Sequence, residues 1–363
     1  MPRGPRAARE VVCVDLDCFY AQALERLRPE LRGKPLAVRQ KYITVTCNYE
    51  ARAHGVSKLM SLEDSKQRCP ELVIVDGSDL RPFREASEEI AAVLTRFGCP
   101  VERKGMDESF VDVSALVDTR VGAYEASQLD FVGHLLGEED TLDRVTRARL
   151  AQASVIAQEM RDALLQELQF RSCAGVGTCK TSAKLAAELH KPNQQSIILP
   201  DALCTYMSDL PAGRVQGLGR SMLRQIHAAL SDPSVVDSPY ALTCAQIRDV
   251  PLDRLTRALG NASQADFVFK VVRGIDERPI RPSEQAKTIS QEETSLPHPD
   301  TWESANARLR VLCTRIMDFV RERREKHNQV AHTLRQRLHR KVQHRALYPV
   351  KHFRGQQRPS DRT

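Results

Sequence analysis

Residues 11–20 read VVCVDLDCFY, and this stretch decides the fold. Val11 to Val14 are apolar or small throughout, the pattern of a strand covered on both faces. Yet the strand runs into two carboxylates, Asp15 and Asp17, before it closes on Phe19 and Tyr20. An ionised carboxylate at a buried strand end is costly unless a positive group faces it. The stretch therefore predicts a central strand and a cation opposite at least one of its acids.

Working outward, 363 residues exceed one ordinary core and are expected to divide into roughly two to four domains. A hydrophobic content of 41% with 28% charged residues describes a globular protein. No run approaches about eighteen consecutive apolar residues, which excludes a membrane-spanning role. MPRGPRAARE carries basic residues but no apolar segment before Val11, so no secretory leader is expected and the compartment is read as cytosolic or nuclear. The ten cysteines are scattered without a CxxC pair, which argues for reduced, mostly buried thiols and against a zinc or disulfide framework. The net charge of +7 is uneven: from Ser304 onward there are sixteen Lys or Arg against four Asp or Glu. Such a stretch suits contact with a phosphate backbone, and equally a solvated tail.

The pattern along the chain alternates strand and helix. A helix over Tyr20 to Arg28 stops at Pro29, short strands are expected at 36–40 and 43–47, and a helix starts at Tyr49 and breaks at Gly55. Ser61 is an N-cap, Pro70 a stop, and LVIV a further strand, so that 19–79 forms a compact insertion. A helix follows from Pro82 to Gly98, and VERKGMDESFVDVS reads as two strands meeting at a turn. Residues 119–150 are expected as a polar surface excursion before a long helix over 155–166. RSCAGVGTCKTSAKLAAELHKPNQQSIIL then reads strand, loop, helix, loop, strand, the alternation of an α/β or α+β layer. A separate helical bundle is bounded near Pro200 and Pro282. TISQEETSL reads as a strand, and the helix after it has Asp300 and Glu303 in capping-box spacing, with Trp302, Ala305, Leu309, Leu312, Ile316 and Phe319 along an apolar face expected to be core. Beyond Leu334 no period of 2 or 3.6 survives, and residues 335–363 are expected as a divergent, basic, poorly ordered tail.

Two acidic clusters carry the chemistry, Asp15-Leu16-Asp17 at a strand end and Asp107-Glu108 within MDESFVD. Neighbouring strands of one sheet can bring Asp15, Asp107 and Glu108 together, with the Leu16 carbonyl as a further hard oxygen. That set suits Mg²⁺, two ions of which, about 4 Å apart, stabilise attacking and leaving oxygens in phosphoryl transfer. A DxD strand end also occurs in aspartyl-phosphate phosphatases and sugar-nucleotide transferases, and acid pairs often cap helices. Tyr49 and Arg52, three residues apart on one helix, can face one triphosphate, and Lys191 can add charge to the same anion. Val215-Gln216-Gly217-Leu218-Gly219 reads as the turn of a helix-hairpin-helix unit, where Gly217 and Gly219 let backbone N–H groups approach a DNA phosphate; a plain glycine turn between packed helices fits the same residues.

DLDCFYA, CNYEARAHGV, GMDESFVD, CAGVGTCKTSAKLAAELHKPNQQ and VQGLG, in this order, resemble the Y-family translesion DNA polymerases over residues 10 to about 330. The resemblance implies a DNA-directed DNA polymerase, a nucleotidyltransferase, with an α+β right-hand fold: palm at 1–18 and 80–200, fingers at 19–79, a helix-hairpin-helix thumb at 201–286 and a partial little finger at 287–334. It implies Asp15, Asp107, Glu108 and the Leu16 carbonyl as ligands of two Mg²⁺, with Mn²⁺ as a substitute. Tyr20 then falls on the steric gate against a ribose 2′-hydroxyl, and Tyr49, Arg52 and Lys191 on the grip of the incoming triphosphate. KYITVTCNYEAR, PNQQ and the excursion holding Val132-Gly133-His134 are most similar to one error-prone subfamily, in which Gln40, Lys41 and Ile43 would crowd the templating base and favour Hoogsteen pairing. The implied partners are primer-template DNA, deoxynucleoside triphosphates and replication or repair factors such as a sliding clamp, in the nucleus.

The chain departs from the family pattern at Cys179, where Asn usually precedes the motif lysine Lys180, and at Met106, where many members have Ser or Phe. The family's little finger has a four-stranded sheet with two helices, but only Lys287 to Leu334 fits it. An incomplete little finger leaves a second reading, a truncated and weakly catalytic form that mainly binds DNA or partners.

Overall fold

The computed structural model describes residues 9–121, 129–230, 238–284, 287–292 and 301–334. The chain divides into two units, residues 1–283 and 284–363. In chain order the first unit holds strands β1 (Val11–Leu16), β2 (Leu36–Gln40), β3 (Ile43–Cys47), β4 (Val73–Asp76), β5 (Val101–Lys104), β6 (Glu108–Asp112), β7 (His134–Leu136), β8 (Ser172–Gly177) and β9 (Gln195–Ile198). Its helices are α1 (Phe19–Leu27), α2 (Tyr49–Ala53), α3 (Leu62–Arg68), α4 (Arg81–Thr95), α5 (Ser114–Val121), α6 (Arg144–Leu168), α7 (Lys180–Leu189), α8 (Pro200–Met207), α9 (Arg220–Ala228), α10 (Cys244–Arg248), α11 (Leu252–Leu259) and α12 (Ala262–Val271). No described helix is long and apolar enough to cross a membrane.

The main sheet has the order β5-β6-β1-β8-β9-β7, with β1 antiparallel to both β6 and β8 and the last three strands parallel. All six residues of β1 are buried, as the apolar run predicts. Successive side chains leave a strand on opposite faces. Val12, Val14 and Leu16 accordingly enter the large core with Ile90, Val93, Ile156 and Met160 of α4 and α6. Val11 and Cys13 face the other way, where Phe110 of β6 and Ala183 and Ala187 of α7 close over them. Helix α7 lies very near the sheet: a Cβ on Gly175 would stand 2.0 Å from the Ala183 carbonyl oxygen and 2.2 Å from the Ala187 nitrogen. On its remaining side α7 gives Leu185 and Ala186 to the core of the helical bundle, with Leu203, Met207, Leu223, Ile226 and Leu255.

Segment 19–79 builds its own three-stranded sheet, β3-β2-β4, over a small core of Ala37, Cys47, Ala51, Val56, Cys69 and Leu72. Ser61 caps α3 as expected, accepting from the Asp64 N–H at 3.0 Å. Two expectations need correction. The stretch 119–150 is not a simple excursion: β7 extends the main sheet beside β9, and α6 begins at Arg144 because Asp143 accepts from the N–H groups of Val145 and Thr146 while Ala148, Leu150 and Ala151 are already buried. In the second unit, α13 (Trp302–His327) is capped by Thr301, which accepts from Ser304 N–H at 3.2 Å; Asp300 lies outside the described residues. No residue of α13 is fully buried: of the expected core face Trp302 is 72% exposed, while Ala305, Leu309, Leu312, Ile316 and Phe319 are half-buried. Of the strand expected over TISQEETSL, residues 288–292 have no strand structure and 293–296 lie outside the described residues, as do 285–286 at the thumb boundary and the tail 335–363.

Gly175→Ala is expected to lower unfolding stability by about 3 kcal/mol, the upper end of overpacking costs, because its methyl meets backbone rather than a movable side chain. Urea unfolding of the two proteins measures this; an unchanged midpoint would contradict the close approach of α7.

Candidate active site

The register of the main sheet sets Asp15 directly opposite Glu108, and Asp107 stands at the turn just before β6. The Leu16 N–H donates to the Asp107 carbonyl at 2.8 Å and the Asp17 N–H to the Arg171 carbonyl at 3.2 Å, which pins the end of β1 on both sides. Gly105, at φ +76, makes the tight turn that returns the chain to place Asp107 and Glu108. Thus acids far apart in sequence share one sheet end, next to the Cys13–Phe110 apolar pair on the same face.

Two lysines answer the charge. Lys184 of α7 reaches Asp15 at 2.7 Å and Glu108 at 2.6 Å, with Glu188 at 3.5 Å one turn along. Lys191 pairs with the other oxygen of Asp15. Burial alone would raise the Asp15 carboxyl, but the two ammonium groups outweigh it and hold it below the ordinary carboxylate range. Burial, reinforced by the Asp15 charge, pushes Asp107 up, and burial raises Glu108 despite Lys184. Lys184 is itself raised, because the anions around it exceed the effect of its burial. Among the described residues Asp107 has no ion pair, so three carboxylates meet two ammonium groups. The all-oxygen donor set and the net negative charge fit a hard divalent cation. Lys184 bridges Asp15 and Glu108, and the three carboxylates do not form one cluster with a ligand oxygen of each within 4.8 Å of the others.

Asp17 has neutral partners instead. It accepts from the Asn193 N–H at 2.8 Å and the Tyr49 hydroxyl at 3.3 Å, and the Cys173 thiol lies 3.3 Å away. The Arg52 guanidinium stacks over the Tyr49 ring at 4.5 Å, so the two residues share a face of α2 as their spacing predicts. A cleft of about 90 Å³ is lined by Asp17, Cys18, Tyr49, Arg171 and Asn193, among others. Tyr20 stacks on Phe83 with ring centroids 4.2 Å apart, and its hydroxyl is pushed up by burial and by the charge of Asp107.

The remaining expected residues lie apart from the acids in the secondary structure. Gln40 is tied to the Gly77 carbonyl at 2.9 Å, Lys41 takes the left-handed turn of the β2–β3 hairpin at φ +55, and Ile43 is exposed beside Ser61. Gly217, at φ +108, makes the VQGLG turn, and Gly219 is the N-cap of α9 without a side-chain cap. This loop does reach the acids, since Gln216 Nε2 donates to Glu108 Oε1 at 3.4 Å.

Reading the sequence missed Lys184 and Gln216. Lys184 had a usable signal: it follows Lys180 by one helical turn on the helix expected between two strands, and a lysine that such a helix turns toward a sheet needs an anion. The motif lysine Lys180 is engaged elsewhere, with Glu102 at 2.6 Å. Cys179 replaces the usual Asn without loss of the cap, its Sγ accepting from the Ser182 N–H at 3.4 Å.

Residues 14–188 match the impB/mucB/samB family. DNA polymerase iota of Mus musculus is 37% identical over 298 residues, 81% of this chain and 40% of that protein. DNA polymerase iota of Drosophila melanogaster is 35% identical over 321 residues, 86% of this chain and 42% of that protein. DNA polymerase IV of Yersinia pseudotuberculosis serotype O:1b (strain IP 31758) is 29% identical over 303 residues, 82% of this chain and 74% of that protein. The chain spans about two fifths of the length of the iota relatives it matches. The subfamily to which KYITVTCNYEAR and PNQQ pointed is that of polymerase iota.

The charge balance sets a dependence on pH. The Asp15 pairing, with a lowered folded-state pKa, stabilises the fold above the unfolded value of 3.8 and is lost as pH falls through the folded value. Asp107 and Glu108, with raised values, favour the fold in acid and lose that contribution as pH rises through their folded-state values. Lys184→Met, which leaves Asp15 and Glu108 short of a partner, is expected to cost about 3 kcal/mol near pH 7.5 and clearly less near pH 5. Urea unfolding at both pH values checks this, and an equal loss at both would contradict it.

Proposed function

We propose, from the match of residues 14–188 to the impB/mucB/samB family, that this chain is an error-prone, translesion DNA-directed DNA polymerase that adds deoxynucleotides to a primer opposite damaged template bases. The observation that carries this reading is the pairing of Asp15 with Glu108 across β1 and β6, with Asp107 at the adjoining turn and without an ion pair among the described residues. Divalent cations held there by Asp15, Asp107, Glu108 and the Leu16 carbonyl, magnesium or manganese in its place, would acidify the primer 3′-hydroxyl and stabilise the pyrophosphate leaving the α-phosphate.

In this reading the main sheet with α4 to α7 is the palm, 19–79 the fingers and 201–286 the thumb, with 287–334 the start of a little finger. The side chains of Lys184 and Lys191 balance the acids until substrate arrives. Lys191, 29% exposed and long, then turns to the triphosphate, beside the stacked Tyr49 and Arg52. Tyr20, fixed by Phe83 and near Asp107, stands where a ring would collide with a 2′-hydroxyl. The β2–β3 hairpin with Gln40, Lys41 and Ile43 lies over the templating base and narrows its pocket, and the VQGLG turn with the uncapped start of α9 holds a DNA phosphate. A sliding clamp and other replication factors would recruit the enzyme in the nucleus.

The lack of strand structure at the described residues 288–292 favours a second reading, a truncated form that binds DNA and extends primers weakly. Primer extension compared with DNA affinity over a salt series separates the two, because an electrostatic binder loses affinity with salt and shows no Mg²⁺-dependent incorporation.

Asp107→Ala and Glu108→Ala are each expected to slow primer extension about a thousandfold, several kcal/mol of charge stabilisation, with DNA affinity retained. Extension at a comparable rate with Mg²⁺ or Mn²⁺ would defeat the proposal. Incorporation opposite each template base tests the iota-like pocket: accuracy opposite thymine equal to that opposite purines would remove it while leaving the polymerase reading intact.

A further inference from the structure

Outside the acid site, three potential ligands meet in segment 19–79. His54 is the C-cap of α2, Cys69 the C-cap of α3, and Glu71 lies in the turn that leads into β4. Their donor atoms all lie within 4.8 Å of one another, and His54 Nε2 and Glu71 Oε1 are 3.4 Å apart. Tetrahedral zinc with N, O and S ligands at about 2.0–2.3 Å sets its donor atoms about 3.3–3.8 Å apart, so the His54–Glu71 edge already has the required length.

The frame is rigid where it has to be. The Leu72 N–H donates to the Cys69 carbonyl at 3.0 Å, and Pro70 fixes φ at the second position of this Cys69-Pro70-Glu71-Leu72 turn, so Cys69 and Glu71 are presented together. Arg68 ties the two helix ends by donating to the Gly55 carbonyl at 3.0 Å. Cys69 is buried, whereas the side chains of His54 and Glu71 are 45% and 54% exposed, so an ion enters from the solvent side and the thiol closes the floor. The donor set is one imidazole, one thiol and one carboxylate. Sulfur and nitrogen ligands select a borderline divalent cation over magnesium, whose preference is for oxygen alone.

We propose that His54, Cys69 and Glu71 form a zinc-class site on this segment, separate from the oxygen-only acid site, with water as the fourth ligand. On binding, Cys69 gives its thiol proton to solvent and Sγ donates an electron pair to the ion, while the imidazole and the carboxylate donate theirs without any redox change. Three protein ligands and an open fourth position make the ion exchangeable rather than structural. The site cross-links the ends of α2 and α3, and α2 carries Tyr49 and Arg52.

Cobalt substitution in the full chain provides the test, since a thiolate ligand gives Co²⁺ an intense near-ultraviolet charge-transfer band. One equivalent of Co²⁺ is expected to produce that band and one equivalent of Zn²⁺ to abolish it, while excess Mg²⁺ leaves it unchanged. Cys69→Ser should remove the band. His54→Ala, an exposed change that spares the fold, should weaken Zn²⁺ binding at least tenfold, and Cys313→Ser, at the exposed thiol of α13, should change nothing. A band that survives Cys69→Ser, or zinc affinity indifferent to His54→Ala, overturns the site. Because none of these readouts depends on primer extension, the result stands apart from the polymerase proposal.

Discussion

The structure depends on a concentration of negative charge that the sheet itself creates. Pairing β1 with β6 in the register that buries Val12, Val14 and Val111 leaves no choice about Asp15 and Glu108: they fall opposite each other, at the end of the same two strands, with Asp107 one residue away. A slip of one residue would relieve the crowding but turn every apolar side chain of β1 to the wrong face. Hydrophobic burial thus holds the acids together against their repulsion, and that burial, with the neighbouring acid charge added, raises Asp107 and Glu108.

Compensation comes from α7, whose position is set from two sides. Ala183 and Ala187 pack on the sheet through the space left by Gly175, while Leu185 and Ala186 belong to the core of the helical bundle. A helix clamped in this way can carry a lysine to a fixed place. Lys184 adjoins Ala183, and its ammonium spans both Asp15 and Glu108. The bundle is tied to the same helix by Asp276, which accepts from the Thr181 N–H at 3.1 Å and its hydroxyl at 2.8 Å, so the bundle and the acid site share one support.

Much of this was legible in the sequence because the relevant signals are local. The apolar run at 11–14, Ser61 as a cap, and strands at 36–40 and 43–47 all follow from periodicity and capping that neighbours in sequence determine. The meeting of Asp15 with Asp107 and Glu108 was legible as a possibility, since hairpin and strand had to join some sheet. What was not legible depends on distant partners. Lys184 needs the α7 crossing, and Gln216 needs the bundle to reach Glu108. Likewise His54 and Cys69 are unremarkable in spacing and become neighbours only when α2 and α3 end side by side.

The two acids of the DLD stretch, alike in sequence, divide their work through one loop. Lys191 pairs with Asp15 by its side chain, and two residues on, Asn193 donates its backbone N–H to Asp17. The first contact is an ion pair on a long, partly exposed side chain, and the second holds main chain at a residue with φ +52, where few conformations compete. Drawing Lys191 toward another anion breaks only the first. The loop backbone stays anchored to Asp17, which also holds Tyr49 and so links α2 to the end of β1. Lys191 is thus a cation that can change partners on a fixed pivot, and its pairing with Asp15 offsets part of the negative charge of the acid site. The DxD spacing supplies it: Asp15 ends the strand and Asp17 stands in the turn just beyond it, both within reach of that loop.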